Sequence, residues 1–257
     1  MENIIDSIQN HVMLLKTAYR RDGFWYVFQA GIKYLLLWPW NLIQAKYHVI
    51  RNRNLKTFVY NGKIYKYYYN AYNTTWENER TVEIPIIWDL IHANRGRRVL
   101  EIGNVLLHYF PYTHDIVDLY ERYLGVINED IVCFRPQIKY DLIVSISTFE
   151  HIGCNDNELV EPGKFIKAID NVLTNVLAPG GVFILTLPLG QNREMERIIA
   201  SGIVKFSYIS CMQKTDPSHN NWQEVTWEYI KANEINQSGY WTGKRRTAVI
   251  AVCRGND

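Results

Sequence analysis

The chain contains 257 residues, of which 47% are hydrophobic, 21% are charged and 14% are aromatic. This composition excludes a disordered, collagen-like or low-complexity chain and supplies enough apolar side chains for a sizeable core. The formal net charge of +2 does not create the basic field that favours nucleic acid as a partner, so we expect none. The charge is uneven, because residues 1–66 carry ten basic and three acidic side chains. This asymmetry predicts two regions with different roles.

The four cysteines are far apart in the sequence and form no Cys-x-x-Cys pair. A zinc ribbon or a disulfide scaffold is therefore not expected, and a reducing compartment is the simpler interpretation. The sequence contains no His-x-His, His-Glu-x-x-His or clustered carboxylate spacing, so we expect no metal ion. The N-terminal residues are polar and lack the basic and apolar regions of a secretory signal, which favours a cytoplasmic chain.

The N-terminal region predicts helices at residues 4–20 and 24–50, of which the second is amphipathic. Its first twenty residues are mostly apolar, but Lys33 lies near their middle and Pro39 near their end. A charge at the centre of a membrane costs about 2.5–3.5 kcal/mol on insertion scales and proline breaks a helix, so a span is not expected. Two interpretations remain open: this helix covers the protein's own core, or the basic segment 20–53 contacts a membrane surface peripherally.

Two further elements are predicted before the core. Strand-forming runs on either side of Asn61-Gly62 predict a β-hairpin over Lys56–Tyr69, because this dipeptide suits a two-residue type I′ turn. A helix with a proline near its first turn is predicted at Pro85–Ala93. A polar turn then gives the predicted division into an N-terminal extension, residues 1–94, and a core domain, residues 95–257.

Beyond residue 97, short apolar runs alternate with helical stretches such as Glu161–Leu177, which indicates a parallel sheet covered on both faces. Seven strands are predicted, at 98–102, 115–118, 125–128, 142–147, 182–187, 207–213 and 247–253. The last two predict an antiparallel addition at one edge. The predicted fold class is therefore α/β, with a doubly wound, mostly parallel sheet of seven strands and an N-terminal extension of helices and a β-hairpin.

Three motifs follow one another in the core: Val99-Leu100-Glu101-Ile102-Gly103, then Tyr140-Asp141-Leu142-Ile143 leading into Glu150-His151-Ile152, and finally Leu177-Ala178-Pro179-Gly180-Gly181. Their order and separation resemble the class I S-adenosylmethionine-dependent methyltransferases, over about residues 97–254. The resemblance implies that fold, S-adenosylmethionine as cofactor, and methyl transfer as the activity. The sequence departs from the family pattern at Val105, where a second glycine is usual.

The resemblance also implies which residues hold the cofactor. Gly103 and Asn104 border its methionine part, and Asn104 tolerates a left-handed backbone there. The further cofactor-binding candidates are Glu101 at the amino-acid end, Asp118 (with Glu121 as runner-up) at the ribose, Asp130 and Ile131 at the adenine, and Ser147 and Phe149 after the fourth strand. Phe149 has two open interpretations, because an aromatic side chain after a core strand is also commonly a packing residue.

Methyl transfer to a hydroxyl acceptor requires a group that removes a proton. His151 is the predicted base, beside Glu150 at the end of the fourth strand, because a near-neutral pKa suits this task. The alternative is that the two side chains anchor the loop by hydrogen bonds. Weaker candidates for the base are His108, His114 and Asp156.

Aromatic residues are concentrated outside the core, since Tyr19–Trp76 contains 17 of the 35 Phe, Trp and Tyr residues. This region and residues 222–241 are the predicted acceptor surface. A polar cluster that suits a sugar consists of Asn73, Trp76, Glu77, Asn78, Glu79 and Arg80. Three hypotheses remain: a methyltransferase acting on oxygen atoms of a sugar, glycan or other polyhydroxylated molecule; a protein or lipid methyltransferase that docks through its N-terminal helices; and a non-catalytic binding or scaffold protein.

Overall fold

The computed structural model describes residues 57–70, 72–111, 113–153, 161–216, 219–235 and 246–255, together with scattered helical positions between 25 and 50. The predicted helix at 4–20, most of the segment 20–53, Asp156 and the last part of 222–241 lie outside the described residues. No helix in the described part of the chain is long and apolar enough to cross a membrane.

The predicted hairpin is confirmed. Strand β1 (Thr57–Tyr60) pairs antiparallel with strand β2 (Lys63–Lys66), and Tyr60 lies opposite Lys63. Asn61 and Gly62 have φ values of 48° and 73°, as a type I′ turn requires. The turn is also attached to the rest of the molecule, because the Asn61 N–H donates to the Glu224 carboxylate at 2.8 Å.

Helix α1 (Arg80–Ala93) begins five residues before the predicted start, so that Pro85 lies inside the helix. Proline lacks the N–H that would bond to the carbonyl four residues earlier. That carbonyl, of Thr81, instead accepts a hydrogen bond from the Tyr68 N–H at 3.0 Å. The segment after the hairpin therefore supplies the donor that the helix lacks, and the helix continues through the proline.

The described core is an eight-stranded sheet in the order β5-β4-β3-β6-β7-β10-β8-β9. The strands are β3 (Val99–Ile102), β4 (Asp115–Val117), β5 (Val126–Ile127), β6 (Tyr140–Ile146), β7 (Leu177–Pro188), β8 (Tyr208–Asp216), β9 (His219–Thr226) and β10 (Thr247–Arg254). Strands β3 to β7 pair in parallel with one another, whereas β10 is antiparallel to both β7 and β8. The predicted mostly parallel sheet with an antiparallel addition is confirmed, and β9 is an eighth strand that the sequence did not predict.

Helices α2 (Lys164–Asn171), α3 (Arg193–Ser201) and α4 (Trp227–Asn233) connect the later strands. The predicted helix at Glu161–Leu177 is shorter than expected, because a π-turn at Val172–Val176 ends it and β7 already begins at Leu177. Strand β7 thereby includes the Pro179-Gly180-Gly181 segment that was expected to precede it.

The sheet is covered on both faces. One apolar cluster contains Leu100, Ile143 and the buried side chains of α2 and α3, and the other contains Val99, Val144 and the buried side chains of α1 and β1. Fully burying an aliphatic side chain such as Val82 or Ile84 of α1 contributes about 1.5–3 kcal/mol. The described part of the N-terminal extension is thus one of the two layers that cover the sheet, while the division at residue 94 stays a prediction.

Candidate functional site

The loop after β3 contains a glycine that no other residue could replace without strain. Gly103 has a φ of 87°, and a Cβ atom added there would overlap the Thr148 side chain. Its N–H donates to the Val117 carbonyl at 2.9 Å, so the end of β4 holds the loop as well. The loops after β3, β4 and β6 therefore meet at the carboxyl edge of the sheet. The left-handed residue is Gly103, and Asn104 does not need the left-handed backbone that the sequence analysis allowed for it.

The Glu101 carboxylate holds this loop through hydrogen bonds. Its side chain is fully buried, and its Oε1 accepts the backbone N–H groups of Val105 and Leu106 at 2.9 and 2.8 Å. The Oε2 atom is bonded to His114 Nε2 at 2.8 Å. Both oxygens are thus engaged by the protein, so Glu101 supports the loop, while its action on the amino-acid end of a cofactor, directly or through water, stays a prediction. Val105 replaces the family's usual glycine without strain, because its φ is −104°.

Asp118 and Glu121 lie beside this loop and are joined to it by Asn104. Asp118 Oδ2 accepts the Asn104 N–H at 2.9 Å, and its Oδ1 accepts the N–H groups of Tyr120 and Glu121 at 2.8 Å each. The Asn104 amide nitrogen donates to Glu121 at 2.8 Å. The amide oxygen of Asn104 is buried and has no hydrogen-bond partner in the described part of the chain. The structure therefore brings the predicted methionine-end and ribose-end residues together.

The predicted adenine-end residues follow β5. Asp130 accepts the Val132 N–H at 3.0 Å and forms an ion pair with Lys164 at 3.2 Å. The Ile131 carbonyl accepts the amide of Asn171 at 2.6 Å. These contacts fix the loop at the carboxyl end of β5 and attach it to α2.

Two of the weaker base candidates have other partners. His108 lies 2.9 Å from Glu121 and stacks on Tyr72 with a ring separation of 4.4 Å, whereas His114 is bound to Glu101. Phe149 is fully buried against Phe165 and Phe183, at ring separations of 6.0 and 5.5 Å. The structure thus places Phe149 in the core, which favours the packing interpretation, while its contact with a cofactor stays a prediction.

A cluster of buried charged side chains lies at the end of β6. Ser147, at a φ of 41°, donates its hydroxyl to the Glu83 carboxylate at 2.8–2.9 Å. The Arg80 guanidinium donates to the Ser147 carbonyl at 3.3 Å and lies 4.0 Å from Glu83. Sequence reasoning included Arg80 in the polar cluster but missed Glu83, whose only signal is a single charge within the apolar run Val82-Glu83-Ile84-Pro85-Ile86.

Glu150 joins this cluster from the loop after β6. Its side chain is almost completely buried, and its Oε2 has no hydrogen-bond partner in the described residues. Burial, reinforced by the nearby Glu83, raises the pKa of Glu150 well above its usual value. Burial and Glu79 likewise raise the pKa of Glu83 to about 7, against the opposing effect of Arg80. These two carboxyl groups therefore hold protons more strongly than ordinary glutamates do.

His151, the predicted base, lies at the surface. Its side chain is 59% exposed and its Nε2 is 3.8 Å from Glu150 Oε1. The geometry brings His151 next to Glu150, as the sequence analysis expected, but it is Glu150 that enters the buried cluster. Its loop is held by the Asn192 amide, which donates to the Glu150 carbonyl at 2.9 Å.

Among the described residues, a cavity lies away from this edge of the sheet, and no metal-binding group is present. A cavity of about 290 Å³ is located at the opposite, amino-terminal edge of the sheet, where it is lined by residues 91–92, 94–99 and 113–115. No group of three His, Cys, Asp or Glu side chains that could hold a metal ion occurs among the described residues.

No family model and no curated protein matches the chain. It is similar to the solved structure of TehB from Haemophilus influenzae, at 14% identity and a TM-score of 0.41, over 72% of this chain and 65% of that one. It is also similar to a putative sarcosine dimethylglycine methyltransferase from Galdieria sulphuraria, at 14% identity and a TM-score of 0.40, over 74% of this chain and 88% of that one.

A third similar structure is an S-adenosylmethionine-dependent methyltransferase from Clostridium acetobutylicum, at 14% identity and a TM-score of 0.36, over 67% of this chain and 89% of that one. Likenesses at such identity concern the fold only. The strand order, with β3 and β6 central and β10 inserted antiparallel between β7 and β8, is that of a doubly wound, mostly parallel sheet with an antiparallel addition. The chain has the class I methyltransferase fold, with β9 as an additional edge strand.

Proposed function

We propose that this chain is an S-adenosylmethionine-dependent methyltransferase that methylates a hydroxyl of a sugar, glycan or other polyhydroxylated small molecule. The observation that carries the proposal is that the loop after Gly103 is bonded to Asp118, while Asp130 follows β5 at the same carboxyl edge of the sheet. In doubly wound sheets, ligands bind at this edge, near the point where the strand order reverses. Here that point lies between β3 and β6.

The residues at this edge suit such a cofactor. The unpartnered Asn104 oxygen is an acceptor beside the Gly103 turn, where the family binds the amino-acid part. Asp118 and Glu121 are the acceptors for ribose hydroxyls, and Asp130 with the Ile131 backbone is the counterpart of the adenine amino group. When bound, S-adenosylmethionine supplies an electrophilic methyl group on a cationic sulfonium. The protein's tasks are to orient the acceptor, exclude water and remove a proton.

Support for a hydroxylated acceptor comes from the aromatic and polar side chains next to the β6 end. Tyr72 and Tyr109 are in contact with ring centroids 5.5 Å apart, and Tyr109 also meets Tyr68 at 5.5 Å. Arg80 lies within electrostatic range of Tyr109. Aromatic faces combined with hydrogen-bonding groups are suited to the mixed apolar and polar surface of a sugar. Glu150 and His151 are the proposed acid–base groups.

A second candidate is a protein or lipid methyltransferase that docks through its N-terminal helix. The specific observation in its favour is that Trp25, Trp40 and Ile50 are all more than half exposed. Large exposed apolar side chains near basic residues are typical of helices that bind partners or membrane surfaces. Sedimentation with liposomes of anionic and of neutral lipid tests the membrane form, which requires binding that increases with anionic lipid.

Calorimetric titration with S-adenosylmethionine and with S-adenosylhomocysteine tests the main proposal. We expect both to bind at one site per chain, and we expect methyl transfer from radiolabelled cofactor to at least one member of a panel of hydroxylated acceptors. Absence of binding by both compounds would contradict the proposal and favour a non-catalytic scaffold. That scaffold would be consistent with the extensive bonding among Asn104, Asp118 and Glu121.

A further inference from the structure

Two carboxyl groups from distant parts of the chain are buried together at the carboxyl end of β6. Glu83 is 0% exposed and Glu150 is 3% exposed. Burying a carboxylate costs several kcal/mol unless it is paired and hydrogen-bonded. The described groups that face the two carboxyls come from several elements. They are Glu79 and Arg80 at the start of α1, Ser147 at the end of β6, Thr186 in β7, Tyr109 in the β3–β4 connection, and His151 beside Glu150.

The buried charges and polar atoms of this cluster are not all paired within the described chain. Glu79 forms an ion pair with Arg246 at 3.6 Å, and the Arg80 guanidinium lies 4.0 Å from the Glu83 carboxylate. Buried atoms without a hydrogen-bond partner in the described chain include Glu150 Oε2, Arg80 Nη1 and the Tyr109 hydroxyl. Native proteins leave few buried polar atoms unsatisfied, and three in one cluster indicate groups that are held for a ligand.

The unsatisfied atoms have complementary roles. Glu150 Oε2 can accept a hydrogen bond, Arg80 Nη1 can only donate one, and the Tyr109 hydroxyl can do either. A hydroxyl acceptor can donate to Glu150 and accept from Arg80 at the same time. A protonated amine could only donate, so it would leave Arg80 unsatisfied and add a second cation beside it.

The cluster is also mechanically connected to the proposed cofactor loop. Ser147, whose hydroxyl binds Glu83, has a positive φ that is unfavourable for a side chain other than glycine and is maintained by its surroundings. The next residue, Thr148, packs directly against Gly103. The Glu83–Glu150 pair is therefore held beside the turn where the methionine end of the cofactor is proposed to bind.

We propose that Glu83 and Glu150 form one proton-accepting pair for the acceptor hydroxyl, and that Arg80 and Tyr109 bind the acceptor's oxygens. This inference rests on the proposed function. In the transfer step the acceptor O–H bond breaks and its proton goes to a carboxylate oxygen of the pair. The acceptor oxygen forms the new bond to the methyl carbon, and the electron pair of the broken carbon–sulfur bond stays on sulfur. The pair then returns the proton to solvent through the exposed His151.

This arrangement predicts a difference between the two cofactor forms that needs no acceptor. Burial raises the pKa of Glu83 to about 7, so part of this carboxyl keeps its proton near neutral pH. A cationic sulfonium placed nearby favours the ionised carboxylate, so its arrival should release a proton, whereas the uncharged thioether of S-adenosylhomocysteine should not. Calorimetry at pH 7 in phosphate and in Tris measures this release, because the two buffers absorb protons with different heats. We expect S-adenosylmethionine to release more protons than S-adenosylhomocysteine does.

Three variants test which side chains are responsible for the released proton. Glu83→Gln and Glu150→Gln should each abolish the difference in proton release while both compounds still bind. Asp170→Asn, which changes an exposed aspartate near the end of α2, should retain it. Circular dichroism checks that each variant is folded. The comparison of S-adenosylmethionine with S-adenosylhomocysteine on the unmodified protein does not depend on any variant. Equal proton release by both compounds in the unmodified protein would overturn this inference and leave the proposed function intact, whereas failure of both to bind would overturn the proposed function and this inference with it.

Discussion

Two neighbouring parts of the carboxyl edge of the sheet differ in how fully their acidic side chains are hydrogen-bonded. At the β3–β4 end, Glu101 accepts two backbone N–H groups and a histidine, and Asp118 accepts three backbone N–H groups. At the β6 end, Glu150 is buried with an oxygen that has no partner in the described chain. The first arrangement makes a rigid loop, and the second retains unused hydrogen-bonding capacity. The difference separates Glu101, whose carboxylate supports the loop, from Glu150, which keeps an oxygen available to a ligand.

Removing a fully bonded carboxylate should have the largest effect. Glu101→Ala leaves two buried N–H groups and His114 without their acceptor, so we expect a loss of about 3–5 kcal/mol in the free energy of unfolding, measured by urea denaturation. Glu129→Ala, at an exposed position, is the control and should change stability by less than about 0.5 kcal/mol. Comparable stability of both variants would show that the Glu101 network does not support the fold.

Glu83 provides the opposite test, because its removal should stabilise the protein. A carboxyl whose folded pKa is about 7 against an ordinary 4.5 binds more protons in the folded state, so its contribution favours folding at low pH and is lost as the pH rises from about 4.5 to about 7. We expect Glu83→Gln to raise the free energy of unfolding at pH 8 by about 2–3 kcal/mol and to flatten its decline between pH 5 and pH 8. A variant that is less stable at pH 8 than the unmodified protein would contradict the burial argument.

Substitution of two glycines tests whether the loops after β3 and β6 pack against each other. Gly103 and Gly202 both have positive φ, at 87° and 72°, but only at Gly103 would a Cβ meet another side chain. Changing each to alanine introduces the same kind of backbone strain, so the difference between the variants isolates the overlap with Thr148. We expect Gly103→Ala to be less stable than Gly202→Ala by about 1–3 kcal/mol in thermal unfolding. Equal stabilities would mean that the two loops separate at little cost.

The proposed cofactor contacts should produce the smallest effect of this series. Asp118→Ala and Asp130→Ala each remove a charge-assisted acceptor, so we expect S-adenosylhomocysteine affinity to fall by about 10- to 100-fold in calorimetry. Lys139→Ala, which removes a surface contact to the Thr174 carbonyl, serves as the control and should leave affinity unchanged. Unchanged affinity in both aspartate variants would place the cofactor elsewhere.

The sequence contained enough information for the sheet and the hairpin but not for the buried charge cluster. Continuous apolar runs such as Leu142–Ser147 are typical of parallel strands, and Asn61-Gly62 specifies its turn locally. Strand β9 was missed because its sequence, HNNWQEVT, is mostly polar and becomes a strand by pairing with β8. Glu83 could not be predicted for a similar reason, since its partner Ser147 lies 64 residues away and its burial depends on tertiary packing.

Pro85 affects which segments of the protein unfold together in local fluctuations. Since α1 receives one of its hydrogen bonds from Tyr68, the helix and the segment after the hairpin complete each other's backbone and neither is fully bonded alone. In hydrogen–deuterium exchange, the Tyr68 amide should therefore exchange with the amides of the helix as one cooperative unit, rather than with the turn at Asn61-Gly62. Fluctuations that release this segment also release the first turn of α1, which carries Arg80 and Glu83, so local opening and access to the buried acids are the same motion.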